Sequence, residues 1–383
     1  MFFNSPFSRK YILVVLVFFA GTISFIFLKE KNFSPIEYLA SGSIDDISEA
    51  IPKKPAHIST PKPVKGIYMT SWVAGTKDWR EKLVKLIDET ELNSIVIDVK
   101  DYSGRISFEV SDPYLKEIGA VEKRIPDVFE FINYLHQKNI YVIARISVFQ
   151  DAYLVKKRPD LAVKTKSGTV WKDYKGISWL NPASQEVWDY TIKISKEAEA
   201  VGFDELNFDY IRYPSDGNMK DIVLPYADGA ANKAESIKLF FAYLSEHLAE
   251  LKIPLSADLF GFVTTHTDDL NIGQILENAI PYFDFICPMV YPSHYPATYD
   301  GFKNPADHPY EVIHHAMASS SERMLAATST PSKLRPWLQN FDLGATYTAE
   351  MIRKEKQAVY DAGLDSWLLW DPSNKYTPSA LDK

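Results

Sequence analysis

The sequence contains little cysteine and no concentration of positive charge. Cys287 is the only cysteine among 383 residues, so no disulfide bond within this chain can hold the fold. Its segment is apolar, and we expect Cys287 to be a small buried side chain. The chain has 42 Lys and Arg against 50 Asp and Glu, a net charge of −8. Nucleic-acid binding requires a basic surface, so we expect no nucleic-acid partner.

Metal-ligand and phosphate-binding motifs are also missing from the sequence. The eight histidines are scattered except for His314 and His315, which lie in a predicted helix. Metal-dependent amidohydrolase barrels usually begin with His-x-His, whereas the corresponding segment here reads IYMTSW. No glycine-rich phosphate turn follows the first predicted strand. We therefore predict no bound metal and no cofactor.

Hydrophobic and aromatic residues are plentiful. They make up 46% and 14% of the chain, and eight residues are Trp. This composition is sufficient for a substantial buried core. Aromatic side chains stack on sugar rings at carbohydrate sites, but they also pack in ordinary cores, so the composition leaves both interpretations open.

The N-terminal segment predicts export. Tyr11 to Leu28 is an 18-residue run without a charge, preceded by Arg9 and Lys10. This length approaches a membrane span, and the positive flank favours a cytoplasmic N-terminus. We expect residues 1–10 to be cytoplasmic and residues 11–28 to be a single transmembrane signal anchor in the cell membrane. The alternative is a cleaved signal peptide, which would make the protein secreted.

The remaining chain divides into a linker and one large domain. Residues 29–62 contain scattered Pro and Ser without helical or strand periodicity, which predicts a disordered linker. From residue 63 to residue 383 strand-like and helix-like segments alternate. Eight strand candidates lie in this part: 64–72, 94–104, 140–149, 204–214, 254–261, 283–292, 335–342 and 366–374.

Repeated strand–helix units predict a parallel sheet, and eight of them favour a closed α/β (β/α)₈ TIM barrel. A doubly wound open sheet is the alternative. The sequence leaves the oligomeric state undetermined.

Polar residues interrupt the apolar strands mainly near their C-terminal ends, where barrel enzymes carry their active sites. Such groups can bind a substrate or form internal salt bridges, for example between Asp98 and Arg145. Amides, carboxylates and aromatic rings suit sugar hydroxyls and ring faces, so we predict a polysaccharide or oligosaccharide substrate. The predicted substrate-binding residues are Asp98, Lys100, Arg145, Asn207, Arg212, Tyr291, His294, Gln339, Trp370 and Asp371.

Two carboxylates are the predicted catalytic pair. Glycoside cleavage requires one carboxyl group as acid and a second as nucleophile or base. Asp209 is the candidate nucleophile or charge stabiliser, with Asn207 on the same strand face and Arg212 expected to keep it ionised. Asp258, on the next strand, is the candidate acid, and Asp98 and Asp371 are further candidates.

A long connection separates the third and fourth predicted strands. Residues 150–180 contain Trp171, Tyr174 and Trp179, and loops of this length are often lids or binding elements. These aromatic residues can stack on sugar rings, or they can pack the loop onto the barrel.

Several segments together resemble a known family. They are GFDELNFDYIRYP, IVIDVKDYSGRISFE, IYVIARISVFQD, WLNPASQEVWDY, PMVYPSHY, RPWLQNFD and SWLLWDPSN. Over residues 63–383 the chain resembles the glycoside hydrolase-like domain of bacterial envelope proteins, once known only as a domain of unknown function. This resemblance implies a (β/α)₈ barrel related to amylase-like and hypothetical glycosyl hydrolase-like proteins, and a glycoside hydrolase activity.

The resemblance to amylase-like barrels is partial at the site. Asp209 is similar to their nucleophilic Asp on strand four, but Asn207 replaces the Arg two residues earlier, and Asp258 stands where their acid is a Glu. In the register of family 18 chitinases, Ile211 replaces the proton-donating Glu.

Two hypotheses of function follow. The first is a membrane-anchored glycoside hydrolase acting on extracellular or cell-wall polysaccharide through paired carboxylates. The second is a non-catalytic glycan-binding or envelope-organising protein on a degenerate hydrolase barrel.

Overall fold

The computed structural model describes residues 56–383. The predicted cytoplasmic segment 1–10, the predicted anchor 11–28 and the linker up to residue 55 therefore lie outside the described residues. Within residues 56–383, no helix has both the length and the apolar character that a membrane span requires.

Eight parallel strands form a closed barrel in which each strand pairs with its neighbours in sequence order. This arrangement confirms the predicted (β/α)₈ fold and excludes the open sheet, which would have two unpaired edges. The strands are β1 (Lys65–Met69), β2 (Ser94–Lys100), β3 (Tyr141–Ser147), β4 (Glu205–Asp209), β5 (Leu255–Phe260), β6 (Phe285–Met289), β7 (Trp337–Gln339) and β8 (Trp367–Trp370).

Helices occupy the connections between the strands. They are α1 (Ser71–Ala74), α2 (Lys77–Asp88), α3 (Pro113–Glu117), α4 (Val128–Gln137), α5 (Ala152–Lys157), α6 (Gln185–Ala200), α7 (Lys233–Leu248), α8 (Leu276–Ala279), α9 (Pro309–Ala326) and α10 (Ala349–Asp361). Short 3₁₀ turns occur at Pro159–Leu161, Ala249–Leu251, Gly261–Thr264, Pro292–His294, Tyr299–Gly301, Pro305–Asp307, Pro331–Lys333 and Pro378–Ala380.

The long helices follow from their apolar periodicity. In α4, the apolar residues at helical spacing are the buried ones: Val128, Phe131, Ile132 and Leu135. A helix with such a face lowers its free energy by packing that face against the sheet. Asn232 starts α7, where its side chain accepts a hydrogen bond from the backbone N–H of Glu235.

The strand register places polar residues of neighbouring strands at matching heights. Asp98 of β2 pairs with Arg145 of β3, and Arg145 pairs with Asn207 of β4. On the other side of β4, Asn207 pairs with Ser256 of β5. Side chains alternate along a strand, so Asp209 and Asp258, each two residues further on, lie one layer nearer the C-terminal ends.

A buried ion pair lies deeper in the barrel. The Arg335 guanidinium donates to a carboxylate oxygen of Glu205 at 2.9 Å, and both side chains are almost fully buried. Tyr141 and Ser256 also donate to Glu205, at 3.0 and 2.6 Å. Cys287 is buried and unbonded to any sulfur, as expected. The sequence analysis did not identify Glu205 or Arg335, because an isolated charge in a strand does not reveal its partner.

Lys100, predicted to bind substrate, lies in a second buried ion pair at the end of β2. Its Nζ donates to Asp151 Oδ2 at 2.6 Å, and the two side chains are 1% and 0% exposed. Asp151 also caps α5 by accepting from the Leu154 N–H. Lys100 therefore fixes the start of the long connection after β3, and its ammonium group is bonded to Asp151 instead of facing a substrate.

Replacing Lys100 by methionine should destabilise the protein strongly. Breaking a buried pair leaves Asp151 charged without a partner, which costs about 3–5 kcal/mol in the free energy of unfolding. Lys85 supplies the control, because its pair with Glu89 is exposed and Lys85→Met should cost less than about 1 kcal/mol. Urea unfolding of the purified variants measures both values, and equal losses would contradict the assignment.

Candidate active site

A cleft of about 560 Å³ opens at the C-terminal ends of the strands. Seven of the sequence-predicted site residues line it: Arg145, Asp209, Arg212, Asp258, Tyr291, His294 and Trp370. Nine further residues complete the lining: Lys175, Tyr210, Phe260, Met289, Trp337, Phe341, Asp342, Leu343 and Pro372. Across the described residues 56–383, no group of three or more His, Cys, Asp and Glu side chains is placed to hold a metal ion.

The Arg145 guanidinium connects three carboxyl groups at the base of the cleft. Its Nη1 donates to Asp98 Oδ1 at 2.7 Å, and its Nη2 donates to Asp209 Oδ2. Its Nε lies 3.9 Å from Asp258 Oδ2. Burial opposes the charge of Arg145, but the carboxylates of Asp209 and Asp98 raise its pKa well above the ordinary value. Asp209 and Asp258 therefore lie within reach of the same cation.

Asp209 is held from two sides at the end of β4. Its Oδ2 accepts from Arg145, and its Oδ1 accepts from the backbone N–H of Tyr210 at 2.6 Å. Tyr210 has a φ of +53°, in the left-handed region that side chains other than glycine rarely adopt. Backbone strain of this kind tends to occur at functional sites. The turn at Tyr210 directs its own N–H back towards Asp209.

Asp258 is more deeply buried than Asp209, with 1% of its surface exposed. Its Oδ1 accepts from Asn207 Nδ2 at 2.9 Å and from Trp337 Nε1 at 2.7 Å. Burial, followed by the negative charge of Asp209, raises the pKa of Asp258 to about 8 against the opposing effect of Arg145. Since Oδ1 already accepts two hydrogen bonds, Oδ2 is the oxygen on which we expect the proton of the neutral carboxyl group.

Asp209 and Asp258 lie at the same height on the adjacent strands β4 and β5. Phe208 pairs with Ala257, so the next residues, Asp209 and Asp258, are opposite each other. Neighbouring strands are about 4.8 Å apart, and side chains at matching positions project in the same direction. This arrangement favours the short carboxyl separation of about 5–5.5 Å that is typical of retaining glycosidases.

Arg212 does not pair with Asp209, contrary to the expectation from the sequence. Its Nη1 donates to the Tyr213 carbonyl and to Ser215 Oγ, each at 3.0 Å. The cation beside Asp209 is Arg145. Sequence proximity favoured Arg212, but a residue three positions beyond the strand lies in the loop, whereas Arg145 reaches across from the next strand.

Of the other predicted binding residues, Asp98 and Asn207 support the lining from below. Asp98 accepts from Arg145 and from the Tyr68 hydroxyl, at 2.7 and 2.5 Å, so the predicted salt bridge with Arg145 is present. Asn207 donates to Asp258 and to Ser256 Oγ. Both orient a residue that lines the cleft.

Gln339 and Asp371 hold loops at the barrel mouth and do not line the cleft. Gln339 Oε1 accepts from Ser293 Oγ at 2.8 Å, and its Nε2 donates to the Phe341 carbonyl at 2.9 Å. Asp371 Oδ1 accepts from the Ser373 N–H at 2.6 Å.

An aromatic wall forms one side of the site. Tyr68 stacks on Trp370 with ring centroids 3.9 Å apart, and the Arg145 guanidinium lies 5.0 Å from the Trp370 ring. Trp337 meets Trp370 edge-on at 5.5 Å. Sequence analysis missed Tyr68 and Trp337, although both occupy strand positions whose alternation could have identified them as facing the barrel interior.

The long connection after β3 contributes two buried Trp side chains to the core and one Lys side chain to the cleft. Trp171 and Trp179 are buried, which agrees with the packing interpretation rather than sugar stacking. Their indole N–H groups donate to the Asn218 carbonyl and to Asp173 Oδ2. Tyr174 is 81% exposed, and its neighbour Lys175 lines the cleft.

Comparisons with known proteins agree with this architecture. Residues 66–376 match the profile of the family described as "Putative glycosyl hydrolase domain". The PgaB (BpsB) glycoside hydrolase domain from Bordetella bronchiseptica superposes with a TM-score of 0.60 at 12% identity, covering 81% of this chain and 93% of that one. Alpha-L-fucosidase isoenzyme 2 from Paenibacillus thiaminolyticus gives 0.57 at 13% identity, covering 84% and 47%.

A hypothetical protein from Ruminiclostridium thermocellum ATCC 27405 is 38% identical over 50% of this chain and 96% of its own, with a TM-score of 0.46. No curated protein sequence matches the chain. The two hydrolase structures are too distant in sequence to indicate more than a common fold.

The buried Asp258 carboxyl group predicts a pH dependence of stability. The folded protein keeps its proton up to a pH of about 8, whereas the unfolded chain loses it near the ordinary value of 3.8. Between these values the free energy of unfolding falls as pH rises, by about 1.4 kcal/mol per pH unit from this group. Asp258→Asn cannot ionise and can still accept at Oδ1, so its stability relative to wild type should increase with pH across that window.

Urea unfolding at a series of pH values tests this expectation. Asp228→Asn, at an exposed position, is the control and should differ from wild type by a constant amount. A pH-independent difference for Asp258→Asn would show that Asp258 ionises at an ordinary pH.

Proposed function

Because this chain belongs to the "Putative glycosyl hydrolase domain" family, we propose that it hydrolyses glycosidic bonds of an extracellular or cell-wall polysaccharide through Asp209 and Asp258. The observation that carries the proposal is the pair itself. A protonated carboxyl group and a hydrogen-bonded carboxylate lie on adjacent strand ends in one open cleft. Glycoside cleavage requires an acid and a nucleophile in this relation.

The two residues take different roles because their surroundings differ. Asp258 Oδ2–H donates its proton to the glycosidic oxygen as the bond to the anomeric carbon breaks. Asp209, whose oxygens each keep a free lone pair, attacks that carbon from the opposite side. The Asp258 carboxylate then takes a proton from water, and that water displaces Asp209. Arg145 keeps Asp209 oriented throughout.

The names of the structural neighbours support a carbohydrate substrate. Two of them are a glycoside hydrolase domain and a fucosidase. A third, at a lower TM-score, is a galactosidase in complex with stachyose, which carries no weight by itself. The proposed location outside the cell membrane, with residues 11–28 as a single-pass anchor, rests on the apolar N-terminal run alone.

The chitinase mechanism is disfavoured by Ile211. This residue occupies the register position of the chitinase acid, and its side chain is fully buried in the core. An acid is therefore supplied from β5 by Asp258, or the protein binds glycan without cleaving it. The raised pKa of Asp258 favours the first of these.

Removal of either carboxyl group should abolish turnover. Asp209→Asn should lower kcat by at least about 10³-fold, and Asp258→Asn by about 10²–10⁴-fold, with little loss of glycan affinity. The measurement is release of label from a panel of polysaccharides. Asp371→Asn is the matched control, since it changes a strand-end carboxyl group outside the cleft and should retain activity.

The pH profile of kcat/KM should lose activity above about 8 in wild type, because Asp258 must be protonated to act as the acid. Glycan binding without turnover in wild type would establish the non-catalytic alternative. Full activity of Asp209→Asn would instead refute Asp209 as the nucleophile.

Retention of anomeric configuration is a separate expectation from the short carboxyl separation. The first product released from a defined oligosaccharide should have the configuration of the substrate bond, as followed by NMR before mutarotation. An inverted product would require a water molecule between the two groups and would refute Asp209 as nucleophile.

A further inference from the structure

Arg212 is a half-buried cation without a carboxylate partner at ion-pair distance. Within residues 56–383, no Asp or Glu oxygen lies within the 4.0 Å ion-pair distance of its guanidinium, and only Nη1 makes hydrogen bonds. The guanidinium lies 5.0 Å from the Trp179 ring and 5.8 Å from the Tyr210 ring, and it lines the cleft. Burial lowers the pKa of Arg212, although more distant carboxylates oppose this effect.

Three carboxylates, Asp209, Asp216 and Asp173, act on Arg212 from beyond ion-pair distance, and two of them are bonded elsewhere. Asp209 is bonded to Arg145, and Asp173 accepts from Trp179 Nε1 and from the backbone N–H groups of Lys175 and Ile177. A guanidinium that loses its water is normally paired, because an isolated charge is costly to desolvate. Two of its nitrogens, Nε and Nη2, remain available for a ligand.

A second cation of the same cleft comes from the long connection. Lys175 lines the cleft and forms no ion pair among the described residues. Burial, and then the positive charge of Lys175, lowers the pKa of His294, which also lines the cleft. Arg212 and Lys175 belong to different segments, so two separate loops bring positive charge to one cavity.

Two cations of the lining have no carboxylate partner. The lining holds three cations, Arg145, Arg212 and Lys175, and three carboxyl groups, Asp209, Asp258 and Asp342. Arg145 is paired with Asp98 and Asp209, so Arg212 and Lys175 are the cations of the cleft without an ion pair among the described residues. A neutral glycan would leave Arg212 desolvated and unpaired when it displaced water from the cleft.

We propose that the cleft selects an anionic glycan, in which a carboxylate or phosphate substituent on the sugar chain binds between Arg212 and Lys175. The planar guanidinium can donate in parallel to two oxygens of such a group, and the ammonium adds a point charge. This inference rests on the proposed function for the position of the glycan, and it adds the class of substrate.

Binding to matched polymers tests the inference. The full chain carrying Asp209→Asn, to prevent turnover, is titrated calorimetrically with alginate, polygalacturonate and hyaluronan and with their carboxyl-reduced counterparts. A glycerol-phosphate polymer and its phosphate-free polyol form the second arm. At least one anionic polymer should bind at least about tenfold more tightly than its neutral match. Preference within the first arm identifies a carboxylate, and preference within the second a phosphate.

Variants in the same background locate the subsite. Arg212→Gln and Lys175→Gln should each lower the affinity for the anionic polymer about tenfold and make binding less dependent on salt concentration. Arg212→Lys should lose less than Arg212→Gln. Lys172→Gln is the matched control, because Lys172 is exposed on the same connection and lies outside the cleft. Lys175 is also exposed, so its variant should fold even if Arg212→Gln does not.

The outcomes separate this inference from the proposed function. Equal affinity for anionic and neutral polymers, or unchanged affinity of Lys175→Gln, overturns the anionic subsite even if wild type cleaves a neutral glycan. Tight binding of an anionic polymer that depends on Arg212 and Lys175 supports the subsite, even if wild type leaves that polymer intact and the hydrolase proposal fails.

Discussion

The buried guanidinium of Arg145 is the interaction on which the site depends. It projects from β3 into the barrel and bonds carboxylates from the strands on either side, Asp98 on β2 and Asp209 on β4. A charge in this position is tolerable only because it is paired on both sides, and the paired carboxylates are in turn stabilised by it. Removing Arg145 would leave the buried carboxylates of Asp98 and Asp209, and the nearby carboxyl group of Asp258, without a counter-ion.

Desolvation then separates the roles of two similar side chains. Asp209 receives a charged donor and a backbone N–H, whereas Asp258 receives only the neutral donors Asn207 and Trp337 and is more completely buried. Burial and the negative charge of Asp209 therefore raise the pKa of Asp258. In the proposed mechanism, two Asp residues supply the acid and the nucleophile, without the longer Glu that amylase-like barrels use.

The sequence was a good guide to the architecture. Periodicity and length predicted eight strands and the closed barrel, because strand and helix spacing follow from which side chains must avoid water. The clustering of polar residues at strand ends also predicted the location of the site, and seven of the predicted residues line its cleft. Lys100 was an exception, since its charge is neutralised by Asp151 on a loop distant in sequence.

By itself, the sequence determined the fold class and the strand ends that meet at the barrel mouth, because these depend on local pattern and strand order. Only the tertiary structure decided which charges pair. Arg145 rather than Arg212 pairs with Asp209, Trp171 and Trp179 are buried, and burial raises the pKa of Asp258. Pairing and pKa depend on distances and desolvation between segments far apart in the chain, and closure of the barrel sets those distances.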